Sequence, residues 1–551
     1  MSWINRQIAK IAPGYALKRE VALRRLERLE SLGNMKSNRR TFDAISKSRM
    51  RYDFLTTDAS ADRALQNTEN LRYHVRRLEY NNGFIAGPIR RIVSNVVGQG
   101  FTLNAMVTED EYADWEPFPR INAAIAARFN YQLEKNWKIW VKQADKRLIL
   151  GYWELVAIAE GALLRDGEVL VIGRESARRD RMIPYCIEVL EIDRLQSPMS
   201  EVGNPRIRNG IRFDEEGAPI SYFVRKEHPG ETYVMGLKAD DFDEIPAFNP
   251  DGTRKVHHLF NPVRPEQTRG FSQFAAGLKN MQDLERYEEA EIYARLEDAC
   301  LTGIVKTTAP EQFQGGMTVG TVNDEDGEGS SQQLHEFAPG KWNYLAPGED
   351  ITIHNPQRSN QNMDVFTNHL LRGPANALDI PPEVLSQNWQ GMNYSNARTV
   401  LLQFYKACRE RQAYLVNHLC IPNLENVTRS LVARGKVQAP GFDRRPDAFL
   451  RHGWTLPGWQ WVDPLKESSG KEKDVANNFD TITGVCAAQG KDIDEVLEVR
   501  AKELQRIQKL EAKYGVKFPT PKGTDSQPAQ DQSGDEEDGD QPARSDIRRV
   551  K

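Results

Sequence analysis

The longest regular pattern in the chain is helical and runs from Phe271 to about Cys300. Apolar residues recur there every three or four positions, which is the period of an amphipathic helix. The second half, Asp283 to Asp298, holds seven acidic residues and two arginines. The pattern therefore predicts one helix that is well above the usual helix length and strongly acidic towards its end.

The segments before this helix predict an α+β body. Helical patterns cover 62–80, 84–97 and 121–165, and the tryptophans of the third pattern, Trp137, Trp140 and Trp153, are predicted to be core residues. Strand patterns follow in "DGEVLVIGRES", "IEVLEIDRLQSP" and "KVHHLF", with a hairpin around Glu216-Gly217. Helices and strands that alternate irregularly in this way favour α+β over a repeated βαβ fold.

Beyond the long helix, the pattern returns to strands around a Gly/Asp/Glu-rich insert, "NDEDGEGSSQQ", within 301–357. A shorter helix is predicted from about Gln361 to Leu378, and a longer one from about Tyr394 to His418. After about residue 516 the sequence is rich in Pro, Gly, Ser, Gln and Asp. That tail has too little apolar surface to offset ordering entropy, and we expect it to be disordered.

Charge is distributed unevenly. Residues 1–51 hold thirteen Lys/Arg against four Asp/Glu, or about +9, so the remainder of a chain of net charge −4 carries about −13. A basic arm on an acidic body can bind nucleic acid or an acidic protein. A solvated amphipathic helix would have the same composition, and both interpretations stay open.

Known catalytic and metal-binding patterns are absent from the sequence. It has no G-x-x-x-x-G-K-[ST], no H-E-x-x-H and no G-x-S-x-G. His257 and His258 lie in a predicted strand, so their side chains should point to opposite faces. The acidic residues Glu188, Glu191 and Asp193 are expected to be solvated or paired with Arg194. We therefore predict no catalytic residue, no metal site and no cofactor.

The sequence also bears on compartment. No apolar run approaches the roughly 20 residues that a membrane span needs, and the N-terminus lacks a signal-peptide core. The five cysteines are widely spaced and form no C-x-x-C pair. We expect a protein made in a reducing cytosol, with no membrane partner.

Seven ordered stretches resemble the portal proteins of tailed bacteriophages, in the lambda-type portal family, over roughly residues 40–510. They are "RRIVSNVVGQGFTLNA", "LLRDGEVLV", "IEVLEIDRLQSP", "NGIRFDEEGAPISYFV", "HHLFNPVRPEQTRGFSQFAAGLKNMQDLERYEEAEIYA", "NYSNARTVLLQFYK" and "WVDPLKE…VCAAQGKDIDEVLE". Each motif alone is weak, whereas the ordered set is specific. The basic arm, the insert and the acidic tail vary from the family pattern.

The resemblance implies a structural protein that is not an enzyme. Portals are homo-oligomeric rings, typically dodecamers, at one vertex of the capsid in the virion, and they are assembled in the host cytoplasm. Double-stranded DNA is packaged and ejected through the ring. The implied partners are the terminase large subunit, which hydrolyses ATP, the major capsid and scaffold proteins, and the head-completion or adaptor proteins.

The resemblance also implies a division of the chain along the portal fold of wing, stem, clip and crown. The ranges are a basic N-terminal arm at 1–60, a wing domain at 61–270, a descending stem helix at 271–300, a clip domain at 301–357, a returning stem helix at 358–380, a tunnel loop at 381–396, wing completion and crown at 397–515, and an acidic tail at 516–551.

The predicted tunnel loop contains the candidate DNA-channel residues Gln387, Asn388, Trp389, Gln390 and Asn393. Neutral amides make weak, exchangeable contacts with the sugar-phosphate backbone, whereas dense Lys or Arg would bind phosphate strongly and slow DNA movement. Trp389 is expected either to face the channel or a neighbouring loop, or to anchor the loop in a hydrophobic crevice.

Two other classes of function stay open on sequence grounds. One is a capsid-processing enzyme with an unrecognised site. The other is a non-portal nucleic-acid-binding protein that uses the basic arm as a monomer or dimer.

Overall fold

The computed structural model describes residues 59–65, 67–109, 121–201, 203–231, 241–300, 304–306, 343–345, 363–459 and 464–518. The basic arm up to residue 58, most of the predicted clip with its insert, and the tail beyond residue 518 lie outside the described residues. The chain forms two compact units, Met1–Lys491 and Asp492–Lys551.

Four helices begin the first unit, after a short helical turn at Ala61–Ala64. They are α1 (Thr68–Asn81), α2 (Gly83–Val96), α3 (Ala123–Val141) and α4 (Tyr152–Arg165), with strand β1 (Thr102–Ala105) between α2 and α3. Asn82 starts α2 because its side-chain oxygen accepts from Phe84 N at 2.9 Å. The predicted helices at 62–80, 84–97 and 121–165 are confirmed, the last as two helices.

Two small antiparallel sheets follow α4. Strands β2 (Glu168–Glu175), β3 (Tyr185–Leu190) and β8 (Val256–Phe260) form a sheet in the order β3-β2-β8. Strands β4 (Ile207–Arg208), β5 (Ile211–Phe213), β6 (Pro219–Arg225) and β7 (Phe242–Pro246) form the second sheet in sequence order. The turn between β5 and β6 contains Gly217 at φ 87°, which confirms the predicted hairpin.

The main core lies between the α-helices and one face of the three-stranded sheet. Trp137 and Trp140 are buried in it with ring centroids 4.8 Å apart, and Trp153 is half-buried against it. The three tryptophans are therefore core residues, as predicted. A smaller cluster, which includes Leu170 and Tyr222, fills the space between the two sheets.

Two antiparallel helices come next, α5 (Leu278–Cys300) and α6 (Met363–Ala377). The predicted long helix is shorter at its start, because a 3₁₀ turn at Gln273–Ala276 precedes it. Gly277 separates turn and helix, and a Cβ there would lie 2.5 Å from Pro374 Cα of α6. Short strands β9 (Ile304–Lys306) and β10 (Asn343–Leu345), which pair in parallel, belong to the segment between α5 and α6.

The chain then forms a short helix α7 (Pro382–Ser386), a loop at 387–393, and the long helix α8 (Tyr394–Leu415). A π-helical turn, Val416–Cys420, joins α8 to α9 (Ile421–Ala433). Pro422 has no N–H for the carbonyl of His418, which explains why regular α geometry ends here. The predicted helix to His418 thus ends as an α-helix three residues earlier.

The C-terminal part of the first unit returns to the core. A short helix, Pro446–Phe449, precedes strand β11 (His452–Thr455), which pairs antiparallel with β1. Helices α10 (Pro464–Ala476) and α11 (Ile482–Ala488) follow. The second unit contains α12 (Ile493–Tyr514), which Asp492 caps through Asp494 N at 2.9 Å. No helix among the described residues is long and apolar enough to cross a membrane.

Candidate nucleic-acid interface

The conformation of the loop at 387–393 is fixed at both of its ends. Helix α7 ends at Gln387, which has left-handed geometry at φ 57°. Helix α8 begins at Asn393, whose side-chain oxygen accepts from Asn396 N at 2.9 Å. Gly391, at φ 74°, permits the turn between them because it has no Cβ. The predicted tunnel loop 381–396 therefore contains the short helix α7, the seven-residue loop and the start of α8.

The structure brings all five predicted residues to the protein surface in this one loop, since Gln387, Asn388, Trp389, Gln390 and Asn393 are exposed. Part of their polar capacity is used locally. Gln387 Nε2 donates to Val384 O at 3.2 Å, and Asn388 Oδ1 accepts from Gln390 N at 3.1 Å. Asn393 caps α8. The side chains of Trp389 and Gln390 are thus the best placed of the five for contacts outside the chain.

Trp389 has an exposed fraction of 36%. Tryptophans that anchor a loop are usually more deeply buried, as Trp459 illustrates: it stacks on Tyr405 at 4.4 Å and donates from Nε1 to Asn95 Oδ1 at 2.9 Å. Within one chain, then, Trp389 leaves over a third of its surface for a ligand or a neighbouring copy.

Electrostatics around the loop disfavour tight phosphate binding. The stretch from Gln387 to Asn393 contains no charged residue. Helix α5 carries Glu285, Glu288 and Glu289 close in sequence, and two of them line a crevice of about 410 Å³ with Ser386 and Gln387 at the loop base. Burial, followed by the charge of Glu285, raises the pKa of Glu288. The loop base therefore holds two neighbouring carboxylates, Glu285 paired with Arg77, beside the guanidinium of Arg91.

One arginine joins the helix pair to the rest of the unit. Arg411 of α8 donates to Gln273 Oε1 at 2.6 Å and to Leu378 O at 3.3 Å, just before α5 and just after α6. It also pairs with the buried Glu160 of α4 at 3.4 Å. Burial raises the pKa of Glu160, and Arg411 opposes that rise. The start of α5 and the end of α6 are thereby tied to α4 and α8.

A network of buried charge fixes the chain just before the helix pair. Glu168, with a fully buried side chain, contacts Arg72 at 3.2 Å, Arg269 at 2.8 Å and His258 at 3.0 Å, and accepts from Gly270 N at 2.9 Å. Burial alone would raise the pKa of Glu168, but Arg269 and His258 hold it well below its usual range. The network continues through five more charged pairs: Arg72–Asp193, Arg76–Asp193, Arg76–Asp166, Arg165–Asp166 and Arg165–Glu79. Four arginines thus face four carboxylates.

Two of the three acidic residues considered in the sequence, Glu188 and Asp193, belong to ion pairs. Glu188 pairs with Lys146 at 2.7 Å and Arg174 at 3.1 Å. The prediction that these acids pair with Arg194 is wrong. The guanidinium of Arg194 donates to the carbonyls of Arg225 and Lys226 at 2.7 and 2.6 Å. The reason is tertiary, because β6 ends beside the 3₁₀ turn that carries Arg194.

Glu191, Asp193 and His228 lie close enough together for a metal ion. His228 Nδ1 accepts from Gly230 N at 3.0 Å, which leaves the proton on Nε2, the nitrogen 3.2 Å from Glu191. A protonated nitrogen cannot ligate a metal, and Asp193 is already neutralised by two arginines. The cations nearest to Asp193 are therefore arginines, and His228 Nε2 lies beside the Glu191 carboxylate at 3.2 Å.

His257 and His258 lie on opposite faces of β8, as predicted. His258 joins Glu168, whereas His257 is buried in the main core with no partner for either ring nitrogen in the described part of the chain. Sequence patterns did not identify Arg411, Glu168 or Arg269 as structural residues. The only signal was the density of arginines in "NLRYHVRRLE" and "QTRGF", which cannot reveal partners 90 to 100 positions away.

Comparison with known proteins agrees with this architecture. The family model described as "Phage portal protein, lambda family" matches residues 47–412. The probable portal protein of Halomonas phage phiHAP-1 is 26% identical over 86% of this chain and 86% of its own length. Portal protein B of Escherichia phage lambda and the portal protein of Escherichia phage N15 are each 22% identical, over 77% of this chain and 81% of theirs.

Solved structures with some likeness include the neck of an empty GTA particle computed with C6 symmetry and the neck of a native GTA particle computed with C12 symmetry. Their identities are 12% and 13%, and they cover 76% of this chain and 93% and 94% of theirs, with TM-scores of 0.36 and 0.34. The family assignment rests on the sequence model, which spans both helices of the α5–α6 pair and the 387–393 loop. The chain belongs to the lambda family of phage portal proteins.

Proposed function

We propose that this chain is the subunit of a portal at the capsid vertex, a ring whose central channel passes double-stranded DNA during packaging and ejection. The proposal rests on family membership and on three relatives that are named as portal proteins. Its role is structural: the chain positions DNA, and ATP hydrolysis belongs to a separate terminase.

The loop at 387–393 is the proposed tunnel loop, with α5 and α6 as the descending and returning stem helices. The observation that carries this assignment is an exposed, uncharged loop that follows the antiparallel helices α5 and α6 after the short helix α7. A channel must let DNA of any sequence slide. Phosphate binding by Lys or Arg releases counterions and gains affinity with each contact. Neutral amides and an acidic helix avoid that resistance.

Further assignments follow from the same proposal. Residues 301–357 form the clip and 397–515 complete the wing and crown. The partners are further copies of this chain, twelve in a complete ring, the terminase large subunit, the major capsid and scaffold proteins, and a head-completion adaptor. The assembled portal resides in the virion after assembly in the host cytoplasm.

A single charge in the loop tests the proposal. Gln390→Lys places one cation per subunit at an exposed position whose backbone, rather than its side chain, makes the local hydrogen bond. Asn70→Lys, at an exposed position on α1, adds the same charge elsewhere. We expect both variants to assemble and to enter procapsids, and only Gln390→Lys to slow packaging in vitro, with a defect that higher salt relieves.

Packaging at the wild-type rate by Gln390→Lys would show that the loop does not face DNA. An equal defect in both variants would show that added charge acts through something other than this loop.

A further inference from the structure

The base of the 387–393 loop depends on one side chain from another part of the chain. Arg91 of α2 donates from Nη2 to Leu385 O at 2.6 Å, across a sequence separation of 294 residues. Leu385 is the buried residue of α7 that lies two positions before Gln387. The N-terminal end of the loop is therefore attached to the core through the five-residue helix α7. Arg91 holds the C-terminal end of that helix by a hydrogen bond.

Arg91 is incompletely satisfied in this position. Its Nε is buried and, within the described residues, has no hydrogen-bond partner. Burial, followed by the charge of the adjacent Arg90, lowers the pKa of Arg91. A half-buried guanidinium that bonds only a carbonyl lacks the carboxylate that would offset its desolvation. The side chain has room because it lies over Gly87, where a Cβ would approach Nη2 to 3.1 Å.

A free carboxylate lines the same crevice. Arg91, Glu285 and Glu288 all border the space of about 410 Å³ at the loop base. Glu285 already pairs with Arg77 at 3.3 Å. Glu288 has no cationic partner in the part of the chain that the structure describes. The lining of the crevice therefore includes, among the described residues, one guanidinium and one carboxylate that have no ion-pair partner.

We infer that Arg91 is the residue that positions the 387–393 loop, and that Glu288 is its alternative acceptor. With the guanidinium on Leu385 O, α7 and the loop are held against α2. With the guanidinium turned towards Glu288, the carbonyl is released and the loop is free to move. The exchange breaks one hydrogen bond and forms one ion pair, so neither state leaves the arginine unbound.

The two contacts are independent of what the loop faces. The further statement that movement of the loop between its held and released states changes the width of a DNA channel rests on the proposed function. Hydrogen-exchange mass spectrometry on the purified full-length protein, without DNA, tests the inference separately. Exchange is followed in peptides that cover 382–393, where the amides of α7 and the loop bond locally.

Arg91→Gln should accelerate exchange there by about tenfold, since a hydrogen bond from a charged donor is lost. Glu288→Gln should slow it by about twofold or more, because the released state loses its acceptor. The matched controls are Arg90→Gln, whose arginine donates to Ala86 O of its own helix, and Glu289→Gln, at an exposed position on α5. Both should leave exchange unchanged.

Opposite effects of two substitutions in one crevice would not arise from general loosening of the fold. Equal acceleration by Arg91→Gln and Arg90→Gln would overturn the positioning role. Unchanged or faster exchange in Glu288→Gln would overturn the alternative acceptor. If Arg91→Gln does not fold, Arg91→Lys keeps the charge with a single donor group, and acceleration below tenfold but above the controls supports the inference.

If the exchange results hold but a packaging assay shows no effect of Gln390→Lys, the arginine positions a loop that does not face DNA. If the exchange rates of the variants do not change as expected while Gln390→Lys slows packaging, the loop faces DNA but Arg91 does not position it.

Discussion

The side-chain amide of Asn280 donates to the carbonyl oxygen of Leu370 at 3.3 Å. Leu370 is four positions before Pro374, which has no N–H and therefore cannot complete the helical hydrogen bond to that carbonyl. Helix α5 thus supplies from outside the bond that α6 cannot make for itself. Gly373 allows the approach, because a Cβ there would lie 2.3 Å from Asn280 Nδ2.

This relationship predicts that Asn280→Leu and Pro374→Ala are not additive. Asn280→Leu alone should cost about 1 kcal/mol, because Leu370 O loses its partner. In a Pro374→Ala background the alanine N–H satisfies that carbonyl, and the cost of Asn280→Leu should shrink. Thermal unfolding of the four proteins gives the coupling. Strict additivity would show that the amide bond and the proline are unrelated.

The buried charge network predicts that two Glu→Gln substitutions within it lower the free energy of unfolding by very different amounts. Glu168→Gln should destabilise the protein by about 3–5 kcal/mol, because Arg269 loses its carboxylate and the buried Arg72 keeps only Asp193. Glu79→Gln removes a carboxylate from the partly exposed end of the same network and should cost about 1 kcal/mol or less. Midpoints of thermal unfolding measure both. Similar losses would mean that the network does not concentrate its stability at Glu168.

His257 predicts a pH dependence of stability. Burial, followed by the charge of Arg254, lowers its pKa from 6.5 to about 3 in the folded protein. Below pH 6.5 the unfolded chain therefore binds a proton that the folded protein does not bind. The free energy of unfolding should fall by about 1.4 kcal/mol per pH unit from this residue, between about pH 6.5 and pH 3.

His257→Leu should reduce the fall by that amount, whereas substitution of the exposed His74 by Gln should not. The measurement is the unfolding midpoint from pH 7.5 to pH 4.5. Carboxylates such as Glu168 also lose their contribution as pH falls, so the comparison is between each variant and the wild type. Parallel curves for all three proteins would contradict the assignment.

Trp389→Ala separates contact outside the chain from packing within it. Because Trp389 is well exposed, we expect the melting temperature to stay close to that of the wild type, within about 0.5 kcal/mol of stability, while packaging is impaired. Trp459→Ala is the matched control, and it should lower the melting temperature because Tyr405 and Asn95 lose their partner. A destabilised but packaging-competent Trp389→Ala protein would make this residue an anchor of the loop.

We expect the purified chain to assemble into rings and to lack ATPase activity. Electron microscopy of the purified chain should show rings with a central hole, and the same sample should hydrolyse no ATP above background. The reason is that the sequence has no G-x-x-x-x-G-K-[ST] motif to bind the phosphates. Small particles, or robust hydrolysis by the purified protein, would contradict the portal proposal.

Periodicity was sufficient to predict the α+β class and the separate helices at 271–300 and 361–378, whereas the pairing of these helices and the tunnel loop between 381 and 396 were predicted from the resemblance to portal proteins. The pattern from Phe271 to Leu284 places apolar residues on one face, and that face is buried in the structure. The helical pattern also located the start of α8 at about Tyr394, where Asn393 caps the helix through Asn396 N. These features depend on neighbours within a few positions, which is what a sequence pattern can record.

Long-range pairs could not be predicted in this way. Arg91 meets Leu385 across 294 positions, and Arg194 bonds carbonyls of β6 in place of the acids beside it in sequence. A charged residue in a helix pattern looks the same whether it is solvated or paired at a distance. The partner depends on how the elements pack, and that information is spread over the whole core.

The balance of four arginines and four carboxylates around Glu168 has a consequence for how this protein can diverge. Loss of a fully buried member, such as Glu168, leaves an opposite charge buried, so single replacements there are selected against. Change is tolerated when a partner changes with it, or when a whole pair gives way to apolar residues of similar volume. Across related portals, the buried positions of the network should therefore vary as a group, while Glu79, at its partly exposed end, and the loop at 387–393 are free to vary one residue at a time.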